Sequence, residues 1–258
     1  MNKTSLLDGV QTILSYAFKD AAWQSKIAIG AALTFGNYVI PILPGILVSG
    51  YSAKIMRNMI VEDAEPALPE WDNWGSLFVL GFKVFAAAFV YMLPMIVMLV
   101  IGYIFMMLPA FLAPFLVTLD SSQSFPVVFF LIEMLGLFVG MFLFGIGFLL
   151  YIPLSLIIPP ALAHVVAHDS FAAAFRIKEW WAILRANLRG FVAAIVVISG
   201  VYIVVVLIAE VFYFTVILCA LMPIAMSIAI AYISVVASAA IADAYRVGVQ
   251  NLAAATNP

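Results

Sequence analysis

The chain has 258 residues, of which 67% are hydrophobic and 9% are charged, and its formal net charge at pH 7 is -2. Soluble domains have about 45–50% apolar and about 25% charged residues, so this composition excludes an ordinary soluble domain. Together with repeated apolar runs of membrane-spanning length, it predicts an all-α fold, a polytopic integral membrane helix bundle that forms a single membrane domain over residues 1–258. Because no basic tract is present, we expect no nucleic-acid partner.

Residues 1–26 are predicted to contain an amphipathic helix that lies in the membrane interface. Over residues 5–18 apolar side chains recur at helical spacing on one face, and polar side chains fall largely opposite. A helix that packs against the rest of the protein would show the same pattern, so both interpretations stay open.

Residues 27–53 form an apolar segment that is broken in its middle by GNYVIPILPG, residues 36–45. The segment either crosses the membrane once or enters it and returns as a hairpin. Basic residues flank both of its ends, and the proline and glycine residues supply a place to turn, which favours the hairpin. The number of full spans therefore lies between four and six, and the side of the N-terminus stays open.

Residues 54–83 are predicted to form a cytoplasmic loop with basic, acidic and tryptophan residues. After Lys54 and Arg57 the loop continues with acids and prolines, namely Glu62, Asp63, Glu65, Pro66, Pro69, Glu70 and Asp72. Tryptophan favours the headgroup level, so the loop predicts a return into the membrane that ion pairs tie to the two basic residues, with Asp72 or Asn73 capping the next helix. Alternatively, a cytoplasmic partner docks there. The candidate docking or anchoring residues are Glu70, Trp71, Asp72 and Trp74.

The stretch PGILVSGYSAKIMRNMIVEDAEPALPEWDNWGSLFVLGFK resembles a family of prokaryotic multi-pass membrane proteins known only as a domain of unknown function. The matching elements are a broken first apolar segment, then Gly50, Tyr51, Lys54 and Arg57, and then the tryptophan-containing run 68–83. A later stretch, DSFAAAF at 169–175, is similar to a second element of that family. The resemblance implies a multi-pass membrane fold, and it brings no activity, ligand or catalytic residue.

Residues 84–163 are predicted to form two long kinked helices, from two apolar runs at 84–119 and 127–163. As straight helices the runs would be about 54–56 Å long, whereas the hydrocarbon core is about 30 Å thick. We therefore expect tilting, or kinks at their prolines.

Two acids lie well inside apolar runs, Glu133 in the second long run and Glu210 in the span that follows residue 190. Carboxylates inside a membrane are costly and are functional candidates. These two form the candidate intramembrane polar site.

Residues 164–190 are predicted to be a cytoplasmic interfacial helix attracted to anionic lipid. Its candidate lipid-surface residues are Arg176, Lys178, Trp180, Trp181, Arg185 and Arg189. His164 and His168 share one helical face beside Asp169, a set that can bind zinc. No third ligand has a conventional spacing, so a pair of interfacial histidines is favoured, and we expect no metal and no cofactor.

Residues 191–247 are predicted to contain two closing spans joined near 219–223, and residues 248–258 a tail, with Asp243 and Arg246 paired at i, i+3. Lysine and arginine lie in the N-terminal segment, in the loops 54–83 and 164–190 and, as Arg246, near the C-terminus, while the connections at 120–126 and 219–223 have none. The positive-inside rule therefore predicts a multi-pass protein of the cell membrane with both loops and the C-terminus in the cytoplasm.

Motifs of known catalytic sites are absent from the sequence, so we expect a protein that is not an enzyme. Two functions fit the remaining pattern. The favoured one is a scaffold or accessory subunit of a membrane complex. The alternative is a small transporter or channel that uses the two intramembrane glutamates. The expected partners are membrane lipid and a membrane protein complex or a second copy of the chain.

Overall fold

The fold is taken from a computed structural model that describes residues 6–62, 68–119, 125–213 and 216–256. Asp63, Glu65 and Pro66 of the acidic loop lie outside the described residues. Within the described residues the chain forms eight α-helices and no strand: α1 (Leu6–Leu14), α2 (Trp23–Gly36), α3 (Leu43–Ile60), α4 (Trp74–Leu119), α5 (Phe125–His168), α6 (Ile177–Ala186), α7 (Leu188–Tyr213) and α8 (Val216–Thr256). The predicted all-α helix bundle is confirmed.

Among the described residues, four helices are long and apolar enough to cross a membrane. The spans lie at Trp74–Phe115, Val127–His168, Leu188–Tyr213 and Leu218–Ala255. Large apolar side chains cover their exposed faces, as at Phe138, which is 72% exposed. Such surface is stable only against lipid or another apolar surface, so the chain is a membrane protein.

The predicted connection at 219–223 does not form. The structure places these residues inside α8, which continues through Pro223. Proline is tolerated in membrane helices because neighbouring groups satisfy the backbone groups that it frees, so Pro223 does not end the helix. The predicted tail from residue 248 likewise belongs to α8 as far as Thr256.

The chain divides into two compact units, residues 1–88 with 156–258, and residues 89–155. In the first unit α8 packs against α2, α3, α6 and α7. Small residues on α8, among them Ser227, Ala231 and Ser238, are buried and let these helices approach closely.

The second unit pairs the later part of α4 with the earlier part of α5. Glycines make this pairing close, because a Cβ atom on Gly136 would lie 2.7 Å from the Phe105 carbonyl oxygen. A Cβ atom on Gly140 would meet the Gly102 carbonyl oxygen at the same distance. A cavity of about 260 Å³ in this unit has an almost entirely apolar lining that includes Phe105 and Phe129.

The N-terminal segment packs against other helices of the first unit, among them α8. Tyr16 and Ala17, in a short 3-10 helix at Tyr16–Lys19, are buried in its core. The Tyr232 hydroxyl of α8 donates a hydrogen bond to the Leu14 carbonyl oxygen at 2.9 Å. This arrangement matches the second of the two interpretations offered for residues 1–26.

The broken segment 27–53 folds into the end of α2, a turn at 37–42, and the start of α3. The Asn37 side-chain oxygen accepts a hydrogen bond from the Gly45 N–H at 3.0 Å, which closes the turn. Tyr38, Val39 and Ile40 are apolar and exposed at its tip. Neither α2 nor α3 is among the four long apolar helices.

Candidate functional site: an ion-paired cluster at the tryptophan loop

The site is built on a close crossing of α3 with the first turns of α4. A Cβ atom on Gly50 would collide with the Leu77 carbonyl oxygen, and one on Gly81 would collide with the Ile46 carbonyl oxygen. Only glycine allows backbones to approach this closely. The crossing places the last turns of α3 beside α4, so Lys54 and Arg57 of α3 lie near Lys83 of α4.

We call the polar side chains gathered there the loop cluster. Its cations are Lys26, Lys54, Arg57 and Lys83, and its acids are Asp20, Glu70, Asp72 and Asp169. The cluster joins four separate parts of the chain, namely the N-terminal segment, the end of α3, the tryptophan loop with α4, and the segment after α5.

Lys26 is the buried centre of the loop cluster, since its side chain is only 7% exposed. Its ammonium group contacts an Asp20 carboxylate oxygen at 2.9 Å and a Glu70 carboxylate oxygen at 2.7 Å, and it donates to the Leu68 carbonyl oxygen at 2.7 Å. Burial alone would lower the pKa of Lys26, but the hydrogen bonds to Glu70 and Asp20 outweigh it and raise that pKa. The same hydrogen bond lowers the pKa of Asp20, so both groups stay charged.

Trp71 holds the loop against α2 and α3. Its indole N–H donates to the Lys26 carbonyl oxygen at 2.9 Å, and its ring stacks on Tyr51 with centroids 3.9 Å apart and planes inclined by 3°. The Tyr51 hydroxyl in turn donates to the Pro69 carbonyl oxygen at 2.9 Å. Trp71 is therefore a structural part of the loop, because it is half-buried and its indole N–H has a hydrogen-bond acceptor.

The other three candidate residues of the loop have exposed side chains, although the Glu70 carboxylate also contacts Lys26. The side chains of Glu70 and Asp72 are 72% and 66% exposed, and Trp74 is 46% exposed. The ion pair of Asp72 with Lys54 lowers the pKa of the carboxylate through a hydrogen bond. Asn73, rather than Asp72, caps α4, because its side-chain oxygen accepts from the Ser76 N–H at 3.3 Å.

Asp169, in the stretch 169–175, forms ion pairs with two residues of the earlier stretch that carries the family resemblance. Its carboxylate contacts the Lys83 ammonium at 2.9 Å and the Arg57 guanidinium at 3.5 Å. The hydrogen bond from Lys83 is the main reason that the pKa of Asp169 is lowered. The predicted ion pairs of the basic residues thus form, and among the described residues the partner of Arg57 is Asp169, which lies outside the loop. A cavity of about 400 Å³ opens between these groups.

The predicted lipid-surface residues are exposed with one exception. Arg176, Lys178, Trp181, Arg185 and Arg189 have exposed side chains. Trp180 is 2% exposed, and its indole N–H donates to the Ala174 carbonyl oxygen at 2.9 Å. Trp180 therefore departs from the prediction: the side of α6 that packs on the bundle includes position 180, and the outer side includes Trp181.

The candidate intramembrane glutamates lie outside the two cavities described above. Glu133 on α5 and Glu210 on α7 are each exposed on their helix, and neither lines the cavities of about 400 and 260 Å³. Glu133 belongs to the second compact unit and Glu210 to the first.

A second polar group lies where α5, α6 and α8 meet. His164 Nε2 lies 3.0 Å from a Glu179 carboxylate oxygen, and His164 Nδ1 lies 2.7 Å from the Tyr245 hydroxyl. His168 packs edge-on against His164, with ring centroids 4.3 Å apart. The fold thus brings the Glu179 carboxylate of α6 beside the histidine pair of α5.

Comparison with known proteins agrees with the resemblance. The model of a family described as "Protein of unknown function (DUF4013)" matches residues 34–214. No curated protein and no solved structure matches the chain. The matched range includes the two glycines of the crossing, the tryptophan loop and Asp169, whereas Asp20 and Lys26 precede it.

Proposed function

Because the chain belongs to this family of proteins of unknown function, we propose its role from the loop cluster: a non-catalytic scaffold or accessory subunit of a membrane complex. It docks its partner through an exposed edge formed by Glu70, Asp72 and Trp74. The observation that supports this is the combination of a rigid base with outward-facing acids. The buried Lys26 and the stacked Trp71 fix the loop, while Glu70 and Asp72 stay largely exposed.

The charge of this edge favours a protein partner over lipid. A cytoplasmic leaflet is negative, so it attracts basic side chains and repels carboxylates. Glu70 pairs with Lys26 and Asp72 with Lys54, but most of each acidic side chain stays exposed. An edge of these two acids and an exposed tryptophan suits a partner that presents lysine or arginine, and aromatic residues are frequent anchors of protein interfaces. Phe78 and Phe82, further along α4, are also exposed, and these aromatic side chains anchor the chain in the membrane.

We also propose that the loop cluster lies on the cytoplasmic face of the cell membrane, with the C-terminus on the same side. The contacts of Glu70 support a hairpin for residues 27–53. Lys26 contacts its carboxylate at 2.7 Å, and Lys54 donates to its carbonyl oxygen at 3.1 Å. The two ends of the segment thus meet at one residue, whereas a single crossing would separate them by about 30 Å of hydrocarbon.

Site-specific photocrosslinking in the native host tests the docking edge. A benzophenone amino acid replaces Asp72 or Trp74, and Gln250, which is also exposed, serves as the control position. We expect the two edge positions to give an adduct with one and the same protein, and Gln250 to give none. Adducts with lipid alone, or identical adducts at all three positions, would contradict docking and favour a membrane anchor.

A further inference from the structure

The geometry points to a binding site for a divalent transition-metal ion of the zinc class, formed by His164 and His168 of α5 with Glu179 of α6. The ligand atoms of the three side chains all lie within 4.8 Å of one another. Two imidazoles and one carboxylate are a ligand set that zinc uses with a water in the fourth position.

The local fold explains why these side chains converge. The histidines are four residues apart on α5, so they project from one face of the helix. After α5 ends, the chain turns through Asp169, whose φ of 48° lies in the left-handed region. It continues through a short 3-10 helix at Phe171–Phe175 into α6. This turn returns Glu179, in the first turn of α6, to the face that carries the histidines.

Tyr245 of α8 prepares His164 for coordination. His164 is 2% exposed, and its Nδ1 faces the Tyr245 hydroxyl at 2.7 Å. When Nδ1 carries the proton and donates it to this oxygen, Nε2 presents its lone pair toward Glu179. Metal-binding histidines commonly use such an outer partner to fix ring orientation and tautomer. Without an ion, the same geometry permits an Nε2–H hydrogen bond to the carboxylate.

The ligand atoms of the three side chains would have to move only slightly to bind an ion. Zinc–nitrogen bonds of about 2.0–2.1 Å place tetrahedral ligand atoms about 3.3 Å apart. His164 Nε2 and the Glu179 oxygen are 3.0 Å apart, and His168 and Glu179 are exposed, so their side chains can close on an ion. Arg176 lies 3.8 Å from the same Glu179 oxygen and opposes a cation, but its side chain is 47% exposed and can turn into water.

The composition of the chain allows zinc binding by histidine to be assigned to this site. These are its only two histidines, and its one cysteine is Cys219, which lies on α8 far along the helix from Tyr245. Nitrogen ligation of a zinc-class ion by a histidine side chain therefore has to occur here. The ion would join α6 to α5 and so fasten the interfacial helix to the bundle.

Zinc titration of the full-length protein tests the site. The protein is purified in detergent with a histidine-free affinity tag, stripped with a chelator, and titrated with Zn²⁺ against a chromophoric competitor. We expect one Zn²⁺ per chain. Loss of an outer-shell partner weakens metal affinity by roughly 10–100-fold. His168→Ala and Glu179→Gln each remove a direct ligand with an exposed side chain, so each should weaken the zinc affinity by that much or more. Tyr245→Phe removes the outer-shell partner of His164, so its loss of zinc affinity should fall within the roughly 10–100-fold range.

Asp243→Asn is the matched control, because it removes a partly exposed acid of α8 that pairs with Arg246 at 3.4 Å and leaves the three ligands in place. Its zinc affinity should equal that of the unsubstituted protein. Size-exclusion elution checks that each variant is folded, and Co²⁺ absorption reports the coordination geometry. Absence of stoichiometric binding, or an affinity that survives either His168→Ala or Glu179→Gln, would overturn the three-ligand site.

Discussion

Replacement of Lys26 by alanine is expected to lower the free energy of unfolding by about 3–5 kcal/mol, the usual cost of removing one partner of a buried ion pair. The loss arises because the Asp20 side chain, 11% exposed, would keep its charge without its cation. The Leu68 carbonyl oxygen would also lose its donor. Thermal unfolding in detergent, followed by tryptophan fluorescence, measures the loss of stability.

Lys19→Ala is the matched control for Lys26→Ala. Lys19 is exposed and lies in the same N-terminal segment, so its replacement should change the free energy of unfolding by no more than about 0.5 kcal/mol. A double variant, Lys26→Met with Asp20→Asn, removes both buried charges and should recover part of the loss. Equal stability of Lys26→Ala and Lys19→Ala would show that the ammonium group does not hold the loop.

Replacement of Gly50 by valine is expected to prevent the α3–α4 crossing and to abolish most of the folded protein. Overpacking of a core costs about 1–3 kcal/mol when side chains can adjust. Here the new atoms would meet the Leu77 carbonyl oxygen, which is part of the α4 backbone and cannot rotate away. The yield of monodisperse protein in size-exclusion chromatography, from membranes with equal expression, measures the outcome.

Gly75 provides the control for this substitution, because a Cβ atom there meets nothing within 4 Å. Gly75→Ala should leave the yield unchanged or raise it, since alanine is favoured over glycine in a helix by about 1 kcal/mol. Gly81→Ala should behave like Gly50→Val in direction. Normal yields of Gly50→Val would mean that α3 and α4 do not cross as described.

The sequence predicted the long helices well because lipid imposes a simple rule on them. A backbone in hydrocarbon has to satisfy its own hydrogen bonds, so continuous apolar runs such as 84–119 and 127–163 form helices. The same rule explains the wrong connection at 219–223. α8 continues through Pro223, and a helix that continues leaves fewer unpaired backbone groups than a loop at that position.

The candidate site could be predicted only where its residues are close in the sequence. Trp71, Trp74 and their acids were identified from one short stretch, and Lys83 and Asp169 appeared in the resemblance without a partner assigned to them. The role of Lys26 depends on the return of α3 beside α2, which brings residues 26 and 70 together. The nearness of Glu179 to His164 likewise depends on the turn after α5, and spacing alone does not reveal it.

Native mass spectrometry of the protein, gently extracted from its own host membranes, tests the central claim of an accessory role most directly. We expect the chain to appear with a distinct protein in a fixed ratio. A variant with Asp72→Asn and Trp74→Ala should lose that partner, while Gln250→Ala should retain it. A chain that appears only as a monomer or as a homo-oligomer would contradict the accessory role and would make Glu133 and Glu210 the next residues to test for transport.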